Sequence, residues 1–209
     1  MTGKTHAAVG LGTVLAVTQP STVSGLVLAA GTGMLGALIS DIDVGTSKSH
    51  KDADRITLIA VLLVAAEIAL NYFYDFSIWE KIRNNQSMAP GAMGVSIVIA
   101  VCAFGKNQPH RSFMHSLAAG VIFTMVTYTM FSKQAALAFM IAFMTHILLD
   151  LPNCKGIQLF WPIPGHHCFK LCASNGWVNR ILCLAGTVMA INLFTGFAGI
   201  SIFNWIIKK

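Results

Sequence analysis

The sequence predicts an all-α protein: a polytopic bundle of about six to seven transmembrane helices forming one integral membrane domain over residues 1–209. Hydrophobic residues make up 55% of the chain and charged residues only 11%, whereas soluble domains carry about 25% charged residues. Apolar segments of helical length recur without the alternation of a membrane barrel, and open strands cannot span lipid. No long polar stretch remains for a separate soluble domain.

Seven apolar segments supply the predicted helices, with approximate limits 5–19, 22–40, 56–74, 88–105, 113–132, 134–151 and 181–207. A helix needs about 20 residues to cross a hydrocarbon core of roughly 30 Å. The first segment is therefore short, and we expect it to be tilted, buried in protein or only partly spanning. Gln19-Pro20-Ser21 predicts a tight turn, so the first two segments are expected to form a helical hairpin. Polar loops at 41–55, 75–87, 106–112 and 152–180 separate the remaining segments.

The segment count brings the polar residues to one side of the membrane. If His6 starts the first segment on that side, each outward and returning pair of segments ends there again. The same side then receives every other histidine and most of the acids, among them Asp41, Asp43, His110, His115, His146 and Asp150. Hydropathy alone does not require this segregation, which depends on the predicted number of helices.

Basic residues predict the orientation of the bundle. Nine of them fall on the histidine side, namely Lys4, Lys48, Lys51, Arg55, Lys106, Arg111, Lys155, Lys170 and Arg180, and five fall opposite. The positive-inside tendency places the histidine side in the cytoplasm. The formal net charge of +6 favours anionic membrane lipids as partners, and the absence of basic runs argues against nucleic acid. The five cysteines show no paired spacing, which argues against a disulfide framework.

The strongest local pattern is His146-x-x-x-Asp150, whose side chains leave one helix face. Stripes of small residues continue from the candidate ligands at fourfold spacing. They are Ala142 and Ala138 before His146, Ala37, Gly33 and Ala29 before Asp41, Gly10 after His6, and Ala119 after His115. Small residues let membrane helices approach closely. We therefore expect the candidate ligands to face the centre of the bundle.

Five residues are the predicted metal ligands: His6, Asp41, His115, His146 and Asp150. Three imidazoles and two carboxylates favour zinc, with manganese as the alternative divalent cation. Asp43 and His110 would add enough ligands for a second ion, and paired metals suit phosphoester cleavage. Arg111 is a candidate for binding phosphate, while Asp43 or His110 is a candidate general base. Asp43, His110 and Arg111 are thus the predicted catalytic residues.

Four blocks carry a resemblance to a known family. "GKTHAAVG", "SDIDVGTSKS", "HRSFMHSLAAG" and "THILLDLPNCKGIQLFWP" resemble the YdjM-like family of bacterial inner-membrane proteins, described as predicted membrane-bound metal-dependent hydrolases. The likeness covers about residues 3–162 and implies a metal site made by the histidines and aspartates of these blocks. The family also looks distantly similar to zinc-dependent phospholipase C and S1/P1-type nucleases, which implies phosphoester hydrolysis. This chain departs from the family pattern at Val44, Ser112, Met114 and Asn153-Cys154.

The sequence thus predicts a metal-dependent hydrolase of the bacterial inner membrane. It would cleave a phosphoester such as a phospholipid at the bilayer interface by metal-activated water. Two alternatives remain open: a transporter or metal-handling protein, and a non-catalytic scaffold whose helices are locked by metal. A transporter is expected to show internal repeats and a site near the midplane, whereas here the ligands cluster near one face and no repeat is visible. The oligomeric state is open.

Overall fold

The computed structural model describes residues 1–43 and 89–197. Within them lie six α-helices: α1 Gly3–Thr18, α2 Val23–Leu38, α3 Ala89–Gly105, α4 Leu117–Met130, α5 Lys133–Asp150 and α6 Trp177–Phe197. Two 3-10 helices, Ile39–Asp43 and Phe113–His115, follow α2 and precede α4. The predicted all-α bundle is confirmed. The predicted segment 56–74, the loop 75–87 and the last residues of the seventh segment lie outside the described residues.

Among the described residues, three helices are long and apolar enough to cross a membrane: α2 extended by its 3-10 helix (Val23–Asp43), α5, and α6. Helices α3 and α4 are apolar but shorter. Helix α1 has 16 residues, so the sequence was right to mark the first segment as short.

Side-chain caps decide where several helices begin. Thr22 accepts a hydrogen bond from the backbone N–H of Gly25 at the start of α2, and Ser132 does the same for Ala135 at the start of α5. Ser116 caps α4 by accepting from Ala119 N–H. The predicted start of this helix at residue 113 is therefore wrong, because a side-chain oxygen at Ser116 satisfies an orphan N–H and fixes the first turn there.

Helices α1, α2 and α5 meet through the predicted stripes of small residues. A Cβ added at Gly10 would lie 2.8 Å from the Cβ of Ala37, and one added at Gly36 would overlap the carbonyl oxygen of Phe139. Ala37, Ala138 and Ala142 are fully buried between these helices. Backbones that approach so closely hold the ends of the three helices in fixed register.

Larger side chains fill the other half of the bundle. Phe123 of α4 packs on Phe139 of α5, and Phe139 also stacks on Phe143. The ring of Phe143 fills the space above Gly120, where a Cβ would lie 2.8 Å from Cε1. This aromatic packing fixes α4 against α5.

All six helices have one terminus at the same end of the bundle, which we call the site end. Gly10 packs on Ala37 and Gly33 on Val14, so α2 is antiparallel to α1, whereas Gly12 packs on Met189 and Gly186 on Val9, so α6 is parallel to α1. The two residues between α4 and α5 turn the chain back, which makes these helices antiparallel. The packing of Gly94 on Met130 and of Gly105 on Met114 makes α3 antiparallel to α4. The starts of α1, α4 and α6 therefore meet the ends of α2, α3 and α5. The six described histidines all lie at this end, as predicted, while His50 lies outside the described residues.

Candidate metal centre

Four of the predicted ligands form a compact group, the inner cluster, made of His6, His115, His146 and Asp150. The first turn of α1, the 3-10 helix before α4 and the last turns of α5 supply them. Their side chains are 0–3% exposed. His6 Nε2 lies 3.3 Å from Asp150 Oδ1, and His115 Nε2 lies 3.4 Å from His146 Nε2 and 3.6 Å from Asp150 Oδ2. Three segments distant in sequence thus place three imidazole rings around one carboxylate.

A backbone hydrogen bond fixes the orientation of the His146 ring. Its Nδ1 donates a hydrogen bond of 2.7 Å to the carbonyl oxygen of Ala37, so in the neutral ring the lone pair is on Nε2. The ring of His6 stacks on His146 with centroids 3.7 Å apart. A histidine that gives one N–H to a backbone carbonyl and turns its other nitrogen to neighbouring ligands is arranged as metal-ligating histidines are.

The buried nitrogens of the inner cluster fit a cation. Within the described part of the chain, both ring nitrogens of His6 and Nδ1 of His115 are buried without a hydrogen-bond partner, and such groups are costly unless something else satisfies them. Zinc bound at about 2.0–2.1 Å in a tetrahedron separates its ligand atoms by roughly 3.3 Å. Three separations in the cluster, 3.3, 3.4 and 3.6 Å, are close to that spacing. The donor set of imidazoles and a carboxylate suits zinc and also accepts manganese.

The two aspartates of the D-x-D motif lie in different places. Asp41 Oδ1 is 3.8 Å from His146 Nε2, and its side chain is 19% exposed, so it flanks the inner cluster on the open side. Asp43 is buried and accepts hydrogen bonds from His110 Nδ1 at 2.7 Å and from Arg111 N–H at 2.9 Å. Its Oδ2 also lies 3.2 Å from His115 Nδ1. Asp43 is therefore placed to orient its neighbours.

Metal-ligand spacing occurs in three overlapping groups among the described residues. They are His6–His146–Asp150, Asp41–His115–His146 and Asp43–His110–His115. The ligand atoms of each group lie within 4.8 Å of one another. Because His115 and His146 are shared between groups, the arrangement accommodates one ion in the inner cluster and has donors for a second beside it.

Arg111 connects the inner cluster to the following loop. It adopts a left-handed backbone conformation (φ 70°), an uncommon one for a bulky residue. The hydrogen bond from its N–H to Asp43 and the one from Gln158 N–H to its carbonyl hold it there. Its Nη2 lies 3.3 Å from Asp150 Oδ2, and its Nη1 donates to the carbonyl oxygen of Lys155. The guanidinium predicted to bind phosphate thus also positions Asp150.

A cavity of about 490 Å³ opens beside the inner cluster. We call four of the residues on its wall the rim: Asp41, His110, Arg111 and Lys155. His110 is 39% exposed there. Asp150 of the inner cluster also reaches the wall, and its Oδ1 accepts a hydrogen bond from the backbone amine of Met1. The cavity gives small molecules access to groups that are otherwise buried.

The structure brings all eight predicted site residues together at the site end, and their chemical roles stay predictions. Sequence reasoning used Lys155 only as a cation that indicates orientation, named Asn153 only as a departure from the family pattern, and did not mention Ser174. All three residues line the cavity. A usable signal existed, since Asn153 and Lys155 follow Asp150 within five residues. The exposed His166 and His167 belong to none of the candidate metal groups among the described residues.

Comparison with known protein families identifies the family of this chain. The family model described as YdjM inner membrane protein matches residues 1–207, which extends beyond the residues 3–162 that carry the sequence resemblance. No curated protein and no solved structure matches the chain.

Proposed function

The chain belongs to the YdjM inner membrane protein family, and from that premise we propose that it is a membrane-bound metal-dependent hydrolase. Its substrate would be a phosphoester, such as a phospholipid, held at the bilayer surface. The observation that carries this proposal is the contact between the buried inner cluster and the open cavity through Asp150 and Arg111. A cation site that adjoins a cavity can reach a substrate, whereas a purely structural site needs no such opening.

The inner cluster would hold the metal through His6, His115, His146 and Asp150, with Asp41 close to His146. A divalent cation bound there acts as a Lewis acid on a phosphoryl oxygen and makes water a better nucleophile at neutral pH. The fold supplies the rest of what such a centre needs. The hydrogen bond to Ala37 orients His146, the Asp43 carboxylate lies 3.2 Å from Nδ1 of His115, and the burial of the imidazoles excludes bulk water.

The rim would bind and orient the substrate. Arg111 Nη1 and Nη2 each retain one N–H beyond those that contact Lys155 and Asp150, so the guanidinium can still donate to a phosphate oxygen. Lys155 adds a second cation on the cavity wall. His110 is held through Nδ1 by Asp43, which leaves Nε2 to exchange a proton with water or with the leaving alcohol.

We also propose that the site end faces the cytoplasm. Six of the seven lysines and arginines among the described residues lie at that end, and only Lys133 lies at the opposite end. Cytoplasmic loops of membrane proteins carry such an excess of positive charge. The orientation is tested by Asn107→Cys and a thiol reagent that does not cross membranes, added to intact cells and to permeabilised cells. Labelling from outside without permeabilisation would contradict it.

The function is tested by metal analysis and turnover on the same detergent-purified protein. We expect about one zinc or manganese per chain in the unaltered protein and less than a tenth of that in His146→Ala and Asp150→Ala. His166→Ala removes an exposed histidine from the same end and is the matched control. Stoichiometric metal in both cluster variants would remove the proposed site. A panel of phospholipids then shows whether any is hydrolysed in a metal-dependent way.

One observation favours a second candidate, a scaffold whose helices are locked by the metal. Every member of the inner cluster is at most 3% exposed, and closed sites are typical of structural zinc. If the protein is a scaffold, His146→Ala should lower its melting temperature. The unaltered protein should then hydrolyse no phospholipid. If the protein is a hydrolase, it should hydrolyse a phospholipid, and removal of the metal by a chelator should abolish this activity until zinc is added back.

A further inference from the structure

The loop between α5 and α6, residues 151–176, exposes large apolar side chains at the site end; we call it the interfacial loop. Phe160, Ile163, Phe169 and Leu171 are 52–76% exposed, and Trp177 directly after the loop is 73% exposed. Clustered exposed apolar residues mark a surface that contacts a partner or a membrane. Their position at the end of two membrane helices puts them at the level of the lipid headgroups, where aromatic residues are enriched.

The interfacial loop is fastened to the candidate site. Gln158 N–H donates 2.8 Å to the carbonyl of Arg111, and Leu159 accepts from Leu117 N–H at 3.0 Å. Ile157 and His167 exchange two backbone hydrogen bonds of 2.8 and 3.0 Å. The exposed apolar residues therefore occupy defined positions relative to the cavity.

The charge of the interfacial loop has one sign. Lys155 and Lys170 are exposed, and Arg180 follows on the first turns of α6. After Asp150 the chain contains no aspartate or glutamate. A loop that combines exposed aromatic residues with cations, and has no acidic residue of its own, is complementary to a bilayer containing anionic lipid.

We propose that the interfacial loop rests in the headgroup layer, binds anionic phospholipid and presents its headgroup to the cavity. This inference rests on the proposed function in one respect, since it names anionic phospholipid as the substrate class. The cavity of about 490 Å³ is in the range of small-molecule sites, roughly 300–1,000 Å³. A headgroup with its phosphate enters such a space while the acyl chains stay in the bilayer. Lys155 belongs to both the interfacial loop and the rim. A lipid headgroup bound by the loop would enter the cavity beside this lysine.

Membrane depth of the interfacial loop is the first test. Phe169→Trp is made in a chain whose four native tryptophans are replaced by phenylalanine, and the protein is reconstituted in phosphatidylcholine–phosphatidylglycerol vesicles. We expect strong quenching by lipids brominated near the carbonyl region and weak quenching by aqueous iodide. Asn107→Trp, in the polar loop at the same end, is the matched control and should show the reverse. Iodide quenching of both positions would overturn the proposal and indicate a surface for a soluble partner.

Lipid selection is the second test. Nanodiscs containing equal amounts of phosphatidylglycerol and phosphatidylcholine are dissolved gently, and the lipid retained by the protein is counted by mass spectrometry. We expect the unaltered chain to enrich phosphatidylglycerol, and Lys155→Gln and Lys170→Gln each to reduce that enrichment by about fivefold. Lys133→Gln, at the opposite end, is the matched control. Equal retention by all four proteins would overturn the proposal.

Neither test requires metal or turnover, so the two proposals can fail separately. If the quenching and lipid-retention results are as expected but no phospholipid is hydrolysed, the proposed function fails and the lipid-binding role of the interfacial loop stands. If zinc-dependent hydrolysis is observed but the lysine variants retain phosphatidylglycerol unchanged, only the proposal for the interfacial loop fails.

Discussion

The inner cluster and the rim lie side by side but are built in opposite ways. Helical and 3-10 segments carry the inner cluster, whose side chains are 0–3% exposed. The rim belongs mainly to the segments after α2, α3 and α5, and His110 there is 39% exposed. Groups that must hold a fixed geometry sit on packed elements, while groups that must meet a substrate sit where the surface opens. The difference separates an inner half, which we propose binds metal, from a rim half, which we propose binds substrate.

The largest expected effect comes from breaking the inner half. His115→Ala removes the ring that approaches both His146 and Asp150. We expect loss of nearly all bound metal and a fall in hydrolysis of more than the roughly 10–100-fold that loss of an outer-shell partner costs. Elemental analysis and turnover on the same preparation measure both. His166→Ala controls for general loss of a histidine, and retained metal in His115→Ala would place the ion elsewhere.

Asp43→Asn sharpens the boundary between the two halves. The substitution keeps the size of the side chain but removes the charge that faces His110 and His115. We expect metal affinity to fall about 10–100-fold without being abolished, as measured by competition with a chelator. If Asp43→Asn binds no metal at all, Asp43 is itself a ligand and belongs to the inner half.

Helix packing beneath the inner cluster gives the third prediction. A Cβ at Gly36 would overlap the carbonyl oxygen of Phe139, whereas one at Gly31 on the same helix meets nothing within 4 Å. Gly36→Ala should separate α2 from α5 and destabilise the protein by about 1–3 kcal/mol. Gly31→Ala, the matched control, should be neutral or slightly stabilising. Thermal unfolding in detergent compares them, and equal melting temperatures would contradict the close approach.

The smallest effect is expected at the rim. Lys155→Gln removes a cation from the cavity wall. The substitution changes no residue of the inner cluster. We expect KM for an anionic phospholipid to rise about fivefold while metal content stays unchanged. Lys133→Gln should alter neither quantity. Loss of metal in Lys155→Gln would show that the rim and the inner cluster are not separable.

The sequence by itself determined the class of fold and the end of the bundle where the polar residues gather. Hydropathy predicts which segments are helical and apolar, and with the predicted number of crossings the ligands at the start of α1 and the end of α5 share a face. It also indicated the close packing, because the small residues at fourfold spacing from His146 and Asp41 lie on one side of each helix. These are one-dimensional patterns that a helix converts into geometry without further information.

The tertiary structure alone decided what each polar atom contacts. That His146 Nδ1 donates to Ala37, that Asp43 holds His110 and Arg111, and that Lys155 reaches the cavity depend on side-chain rotamers and loop paths. The beginning of α4 was likewise set by a local cap that the apolar run conceals. Contacts between residues more than 40 positions apart arise only when packed helices bring them within hydrogen-bonding distance, and hydropathy carries no record of that distance.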